Sequence, residues 1–509
     1  MPTPSPRAAA SAVAALVRAG LLAPPRPDHA LGMAAALALW GVTPPGGYAA
    51  HAARSPRRAA VVDPAGTLTY LDVDRMTTAI AAGLRAGGVR AGDPVGVLCG
   101  NDRGFVLAVI ALGKVGATAV LLNTGFAAPQ VAEVAASEGL TALLRDPALP
   151  GVPGLPEWTT PDLLALAAEH AGARPRPPRE PGRFVILTSG TTGRPKGAHR
   201  APPTSLEPLV ALLSAIPLRA GETTVVAPPL FHAWGFAQWL IAMALGSTVV
   251  LTGSFDAERT LAAVETHRAT ALVAVPVMLR RLLAVGTAYD TSSLRVVAVS
   301  GSALPPDLAT AFLDAFGDVL YDLYGSTEVA WASIASPRDL REAPGSVGRP
   351  PLGTRVEIVD ADGGTGRIFV GNALMADMPG REVRDGLMAT GDLGRFDADG
   401  RLWVVGREDD MVVSGGENVF PRPVEEALAA LPGVADVAVV GVPDEEYGQR
   451  LRAVVVRAPG ARLTADDVRD AVRARLGRHY VPRDVVFADA LPRNAAGKVV
   501  ARDLPPVDA

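Results

Sequence analysis

Residues 186–200 read ILTSGTTGRPKGAHR. A β-branched, strand-like run enters a stretch of small and hydroxyl residues: Thr188, Ser189, Gly190, Thr191, Thr192 and Gly193. Lys196 follows. Small side chains leave backbone N–H groups exposed, and glycines permit positive φ and close approach of the backbone to a polyphosphate. Ser189, Thr191 and Thr192 add hydroxyl donors, and Lys196 adds a point charge suited to phosphate. The spacing is not that of the common G-x-x-x-x-G-K-[ST] loop. Pro195 stands where that pattern needs glycine, and Gly197 where it needs a hydroxyl.

The sequence around this loop alternates short β-branched runs with helical patterns. VGVLC near 95, FVILTS near 184, TVVAPP near 224, TVVLTG near 248, ALVAVP near 271 and RVVAVSG near 295 are the strand candidates. Helical stretches such as 75–90 and 258–268 lie between them. The alternation predicts an α/β fold with largely parallel sheets flanked by helices. At 509 residues the chain is too long for one core. The pattern shifts after about residue 405, where roughly 100 residues of mixed helix and strand predict a small α+β C-terminal domain. We therefore divide the chain into a large domain, 1–408, and a small one, 409–509. Residues 171–182 (AGARPRPPREPG) read as an exposed linker.

Composition removes several classes. Hydrophobic residues make up 49% and charged residues 20%, a globular balance that excludes disorder and fibre. The net charge of −4, without a long basic run, argues against a nucleic-acid partner. The single cysteine, Cys99, cannot form an internal disulfide and reads as a buried small apolar residue. That usage points to a cytoplasmic protein. Residues 8–17 read as an amphipathic N-terminal helix, interrupted by Arg18, rather than a signal peptide. The apolar run 30–42 is shorter than the roughly 20 residues of a membrane span. We expect it to be a buried helix, with weak membrane-surface association as the alternative.

Further motifs follow in order. Pro229–Gly235 reads PLFHAWG, Ser300–Leu304 reads SGSAL, and Tyr324–Glu328 reads YGSTE. Thr390-Gly391-Asp392, Gly406-Arg407, Ser414–Asn418 (SGGEN) and Pro492–Lys498 (PRNAAGK) complete the set. Together with the 188–197 loop, this series resembles the adenylate-forming superfamily of acyl-CoA synthetases, luciferases and peptide-synthetase adenylation domains. The resemblance covers roughly residues 45–505.

The resemblance implies ATP, Mg²⁺ and coenzyme A as cofactors and a carboxylic acid as substrate. A carrier protein is an alternative thiol acceptor, although the large insertion of fatty acyl-AMP ligases is not evident. It implies that Thr188, Ser189, Gly190, Thr191, Thr192, Gly193 and Lys196 hold phosphates, and that Gly301, Ser302 and Ala303 line adenine. Tyr324 offers adenine a flat face, with Gly325 and Ser326 beside it. Thr327 donates to the α-phosphate, and Glu328, with Thr191, holds Mg²⁺. Asp392 and Arg407 contact ribose, and Asp409 is the hinge. Gly415, Gly416 and Glu417 line the thiol channel. Lys498 is the adenylation lysine, and His232 joins Thr327, Glu328 and Lys498 among the catalytic candidates. His232, Trp234 and Phe236 are candidate walls of the acid pocket.

The chain departs from the family pattern over 354–389, a region shorter than expected whose loop after Gly371 looks trimmed, and at Pro423, which replaces a frequent acid. Phrases such as LLNTGFAAPQ (121–130) resemble bacterial fatty-acyl-CoA synthetases, so a medium- or long-chain fatty acid is the expected substrate.

Overall fold

The computed structural model describes residues 6–22, 26–174, 177–189, 195–200, 207–286, 288–326, 329–375, 381–408, 412–414, 417–444, 448–494 and 497–506. The chain forms two compact units. The first holds residues 1–274, 284–298 and 373–379, and the second holds 275–283, 299–372 and 380–509. The expected hinge at Asp409 lies outside the described residues.

In the first unit, the strands Ala271–Ala274, Thr223–Val226, Thr248–Val250 and Ala59–Asp63 run parallel, side by side. A second sheet sets Glu157–Thr159, Ala142–Arg145, Pro94–Leu98, Thr118–Leu121 and Phe184–Ser189 parallel. Pro195–Arg200 closes that sheet antiparallel. Strands such as Ala271–Ala274 are buried at every position. Such uniform burial is what a parallel sheet covered on both faces demands, and it explains continuous rather than alternating apolar runs. The strands expected near 95, 184, 224, 248, 271 and 295 all form.

The first unit's core centres on an aromatic cluster. Trp239 is fully buried, stands edge-on to Phe105 at 6.1 Å between ring centres, and donates from Nε1 to the Tyr48 hydroxyl at 3.0 Å. Cys99 is buried, as its strand-like setting predicts. The stretch 171–182 is largely exposed where described.

The apolar run 30–42 corrects one expectation. It forms the helix Pro27–Trp40, but no residue of that helix is buried. Gly32 lies against Ala53 of the next helix, Pro44–Arg54, while Leu31 is 75% exposed. Apolarity all round a helix signals burial only when neighbours exist on every side. Here one side alone is covered. Among the described residues no helix is long and apolar enough to cross a membrane.

In the second unit, Leu320–Tyr324 pairs antiparallel with Ser333–Ala335. An antiparallel sheet of Arg355–Asp362, Thr365–Gly371, Leu387–Phe396, Val383–Arg384 and Leu402–Arg407 follows. The C-terminal sheet joins Glu417–Val419, Val412–Ser414, Gly448–Arg457 and Val434–Asp444, with Asp484–Ala488 parallel to Gly448–Arg457. The helices Pro421–Ala429 and Ala465–Leu476 supply Val424, Leu428, Val468 and Val472 to its core. Thr464 and Asp467 form a reciprocal capping box that starts the second helix. These elements give the C-terminal stretch the mixed helix-and-strand character expected from the change in pattern, within a unit that begins well before residue 409.

Two stability predictions follow from these cores. Trp239→Ala should cost about 3–5 kcal/mol in denaturant unfolding, since it empties a filled aromatic site. Asp322, 6% exposed on the strand Leu320–Tyr324, has its carboxyl pushed up to about 7 by burial, against a partial offset from Arg422. Its folded pKa thus lies above the unfolded value of roughly 3.9. The native state keeps a proton that the unfolded chain releases, so stability falls as pH rises through that window. Asp322→Asn should therefore gain on the wild type from pH 4 to pH 8, by up to about 4 kcal/mol. Parallel stability–pH curves for the two proteins would contradict this.

Candidate active site

The candidate residues fall into one group in each unit. In the first unit, the 186–200 segment folds as two antiparallel strands, Phe184–Ser189 and Pro195–Arg200, with Thr188 opposite Lys196 and Ser189 opposite Pro195. The backbone is thus a hairpin rather than the strand–loop–helix of common nucleotide loops. Gly190, Thr191, Thr192 and Gly193 lie outside the described residues.

His232 stands half-buried at the N-cap position of the helix Ala233–Ala244, makes no side-chain capping bond, and has its ring 4.4 Å from that of Phe231. Trp234 is anchored by its Nε1, which donates to the Ala274 carbonyl at 2.9 Å. Phe236 is 4% exposed and packs edge-on to Phe184 at 5.1 Å and beside Trp239 at 5.5 Å. Phe236 is therefore a core residue, and only His232 and Trp234 keep accessible surface. Helical spacing alone does not tell a pocket wall from a core stripe.

In the second unit, Tyr324 ends its strand with its hydroxyl donating to the Asp392 carboxylate. Burial first, and then the adjacent Asp392 charge, push the Tyr324 phenol well above its ordinary range. It remains a neutral donor. Gly325 is required sterically, because a Cβ there would lie 2.2 Å from the Ala330 carbonyl oxygen. Ser326 Oγ accepts from the Val329 N–H at 3.4 Å. Thr327 and Glu328 lie outside the described residues.

Asp392 and Arg407 are register partners across the antiparallel strands Leu387–Phe396 and Leu402–Arg407. Arg407 Nη1 stands 3.5 Å from Asp392 Oδ1. Gly391, at φ +81°, turns the chain between two guanidinium groups. A Cβ there would lie 3.3 Å from Arg407 Nη2 and 3.4 Å from Arg381 Nη1. Arg381 was not singled out by sequence. It belongs to the segment read as trimmed, and its basic charge was the only available signal.

The turn Ser300–Leu304 presents Gly301 at φ +98°, with a would-be Cβ 3.3 Å from Val275. Ser302 is half-buried and Ala303 exposed. The loop before Lys498 reaches the same side chain. Gly497, at φ +78°, would meet Val277 at 2.8 Å and Val275 at 3.4 Å if it bore a Cβ. Lys498 is exposed, and its backbone N–H donates to Asn494 Oδ1 at 3.0 Å. Tyr324, Asp392 and Arg407 thus form one constellation, and the Gly301 turn and Gly497 loop share Val275. The strands Val412–Ser414 and Glu417–Val419 pair antiparallel with Ser414 opposite Glu417, and Gly415 and Gly416 lie outside the described residues.

This arrangement gathers polar and aromatic groups around glycine turns. It has a glycine turn where a side chain would collide, an aromatic ring and a carboxylate acceptor beside a guanidinium. The chain also resembles known proteins. The AMP-binding enzyme family matches residues 48–378, and the AMP-binding enzyme C-terminal domain matches residues 423–498. A feruloyl-CoA synthase from an Amycolatopsis species is 35% identical over 473 residues, covering 88% of this chain and 96% of that protein. An indoleacetate–CoA ligase from Aromatoleum aromaticum is 33% identical, with coverages of 89% and 96%. The solved o-succinylbenzoate CoA synthetase of Bacillus subtilis, in complex with its acyl-adenylate, superposes with a TM-score of 0.80 at 26% identity, covering 90% of this chain and 97% of that one. The chain belongs to the AMP-binding, adenylate-forming enzymes, in the family of AMP-forming CoA ligases.

Proposed function

We propose that the enzyme activates an apolar, ring-bearing carboxylic acid as its acyl-AMP and transfers the acyl group to coenzyme A. The observation that carries the adenylation half is the Tyr324–Asp392–Arg407 constellation in one unit with the Val275 side chain that the Gly301 turn and the Lys498 loop share. The ring-bearing acid is favoured by the relatives named for feruloyl-CoA and indoleacetate–CoA formation. The fatty acid expected from short sequence phrases is the second reading, and the comparisons support only the broader class of acyl and aryl acids.

A carboxylate is a poor acyl donor because its oxygen leaves badly. In the first step, an acid oxygen attacks the α-phosphorus of ATP. The bond between that phosphorus and the β-bridging oxygen breaks, and pyrophosphate leaves. This substitution depends on positioning and charge stabilisation. We assign to Lys498 the charge that builds on the acid and α-phosphate oxygens, with Thr327 donating to the same phosphate. Asp392 and Arg407 orient the ribose, and Tyr324 and the Gly301 turn line adenine. The segment 188–196 cradles the phosphates of the leaving pyrophosphate, and His232 and Trp234 border the acid. Glu328 with Thr191 would hold Mg²⁺, which when bound offsets phosphate charge. In the second step, the thiolate sulfur attacks the acyl carbon and the carbon–oxygen bond to AMP breaks. AMP departs, and the thiol proton is lost to solvent. The Gly415–Glu417 loop would admit the thiol, with the C-terminal domain turning near Asp409 between steps.

Three outcomes are expected. Lys498→Ala should abolish acyl-AMP formation while sparing thioester formation from supplied acyl-AMP, and equal loss of both would refute its role. Asp392→Asn should raise the KM for ATP roughly tenfold or more, as loss of a charged acceptor does. With wild-type enzyme, ATP and Mg²⁺, a panel from acetate through palmitate plus aryl acids should show the fastest pyrophosphate release with aryl acids. Fastest release with palmitate would return the fatty-acid reading.

A further inference from the structure

The loop that carries Lys498 is tied to a charged anchor that the roles above do not use. Arg493 Nη1 donates to the Gly497 carbonyl at 2.7 Å, and its Nη2 donates to Asp436 Oδ2 at 2.6 Å. Asp436 lies in the strand Val434–Asp444, next to a register shift. Its other oxygen accepts from the Val437 N–H at 3.0 Å and faces Arg280 Nη1 at 3.5 Å. The same Arg280 nitrogen donates to the Ala435 carbonyl. Arg280 stands on the helix Pro276–Val285, three residues beyond Val277, the side chain nearest a Cβ on Gly497. Residues three apart share a helix face, so one face meets the loop through Val277 and the strand that anchors Arg493 through Arg280. Arg280 belongs to the stretch matched by the AMP-binding family, whereas Asp436 and Arg493 belong to that matched by its C-terminal domain.

We infer that Arg280 and Asp436 are positioning residues for Lys498, acting through Arg493. The inference rests on the reading of Lys498 as the adenylation lysine. Gly497 supplies the carbonyl of the planar peptide that leads into Lys498, so holding that oxygen fixes the peptide plane and the direction in which the lysine stem departs. Asp436 lies between two guanidinium groups. It holds Arg493 on the carbonyl while its own place is fixed by Arg280. Because the pair joins the two family segments, the lysine is aligned while Arg280 and Asp436 are in contact. A turn of the C-terminal domain for thiol transfer would part them. Arg280 thereby serves the first half-reaction alone.

The test uses the full chain and measures both half-reactions for Arg280→Ala, Arg280→Lys, Lys498→Ala and the double variant Arg280→Ala/Lys498→Ala. Arg280→Ala should lower kcat for acyl-AMP formation by about 10- to 100-fold, the scale of a small misplacement of a catalytic group. The KM for ATP and the rate of thioester formation from supplied acyl-AMP should stay unchanged. Arg280→Lys should recover most of the loss, and Arg280→Ala should have no further effect once Lys498 is gone. Equal slowing of both half-reactions by Arg280→Ala, or effects that multiply in the double variant, would overturn the positioning role. If Lys498→Ala itself forms acyl-AMP normally, the reading beneath the inference fails, and the two failures are told apart by that one variant.

Discussion

A carboxylate paired with a guanidinium and hydrogen-bonded by a buried phenol holds a negative charge at one fixed place, and the second unit's candidate site is arranged around that charge. The antiparallel register puts Asp392 opposite Arg407, and the end of the strand Leu320–Tyr324, which belongs to another sheet, delivers the Tyr324 hydroxyl. Each partner restrains another. The phenol stays protonated because burial and the adjacent charge oppose its ionisation. The carboxylate accepts from the phenol and faces the guanidinium. Gly391 and Gly325 let the backbone turn at this point without a side chain entering the space.

The same economy of space governs the loop that bears Lys498. A surface lysine has a long, flexible stem, and its position is worth little unless the backbone beneath it is fixed. Here the backbone is fixed by a left-handed glycine packed on Val277, by Asn494 within the turn, and by Arg493 on the Gly497 carbonyl. Charge from Arg280 and Asp436 completes the anchor. The chemistry of acid activation asks for alignment and charge more than for a nucleophile, and these are the features the fold supplies.

Much of this was legible in the sequence because the signals were local. Uniformly apolar β-branched runs marked the buried parallel strands. The glycine-bearing motifs marked the turns, since Gly325 leaves no room for a Cβ and Gly391 takes a positive φ. The order of motifs identified the family. The signals that misled or were missed concern what surrounds a segment. Residues 30–42 are apolar enough for a buried helix, but their covering depends on neighbours that sequence does not name. Phe236 sits one helical turn beyond His232 yet is filled in by Phe184 and Trp239. Arg381, Arg280 and Asp436 lie outside any motif, and tertiary contacts alone reveal them. The acid's identity was read too narrowly, because short resembling phrases report ancestry more than the shape of a pocket.

The central claim is that the acid oxygen becomes bonded to the α-phosphorus before the thiol arrives. Carboxylate ¹⁸O-labelling of the acid turned over fastest, followed by mass analysis of the nucleotide product, tests it directly. The account predicts one labelled oxygen in the AMP phosphate and none in pyrophosphate. Label in pyrophosphate or inorganic phosphate, with unlabelled AMP, would contradict it.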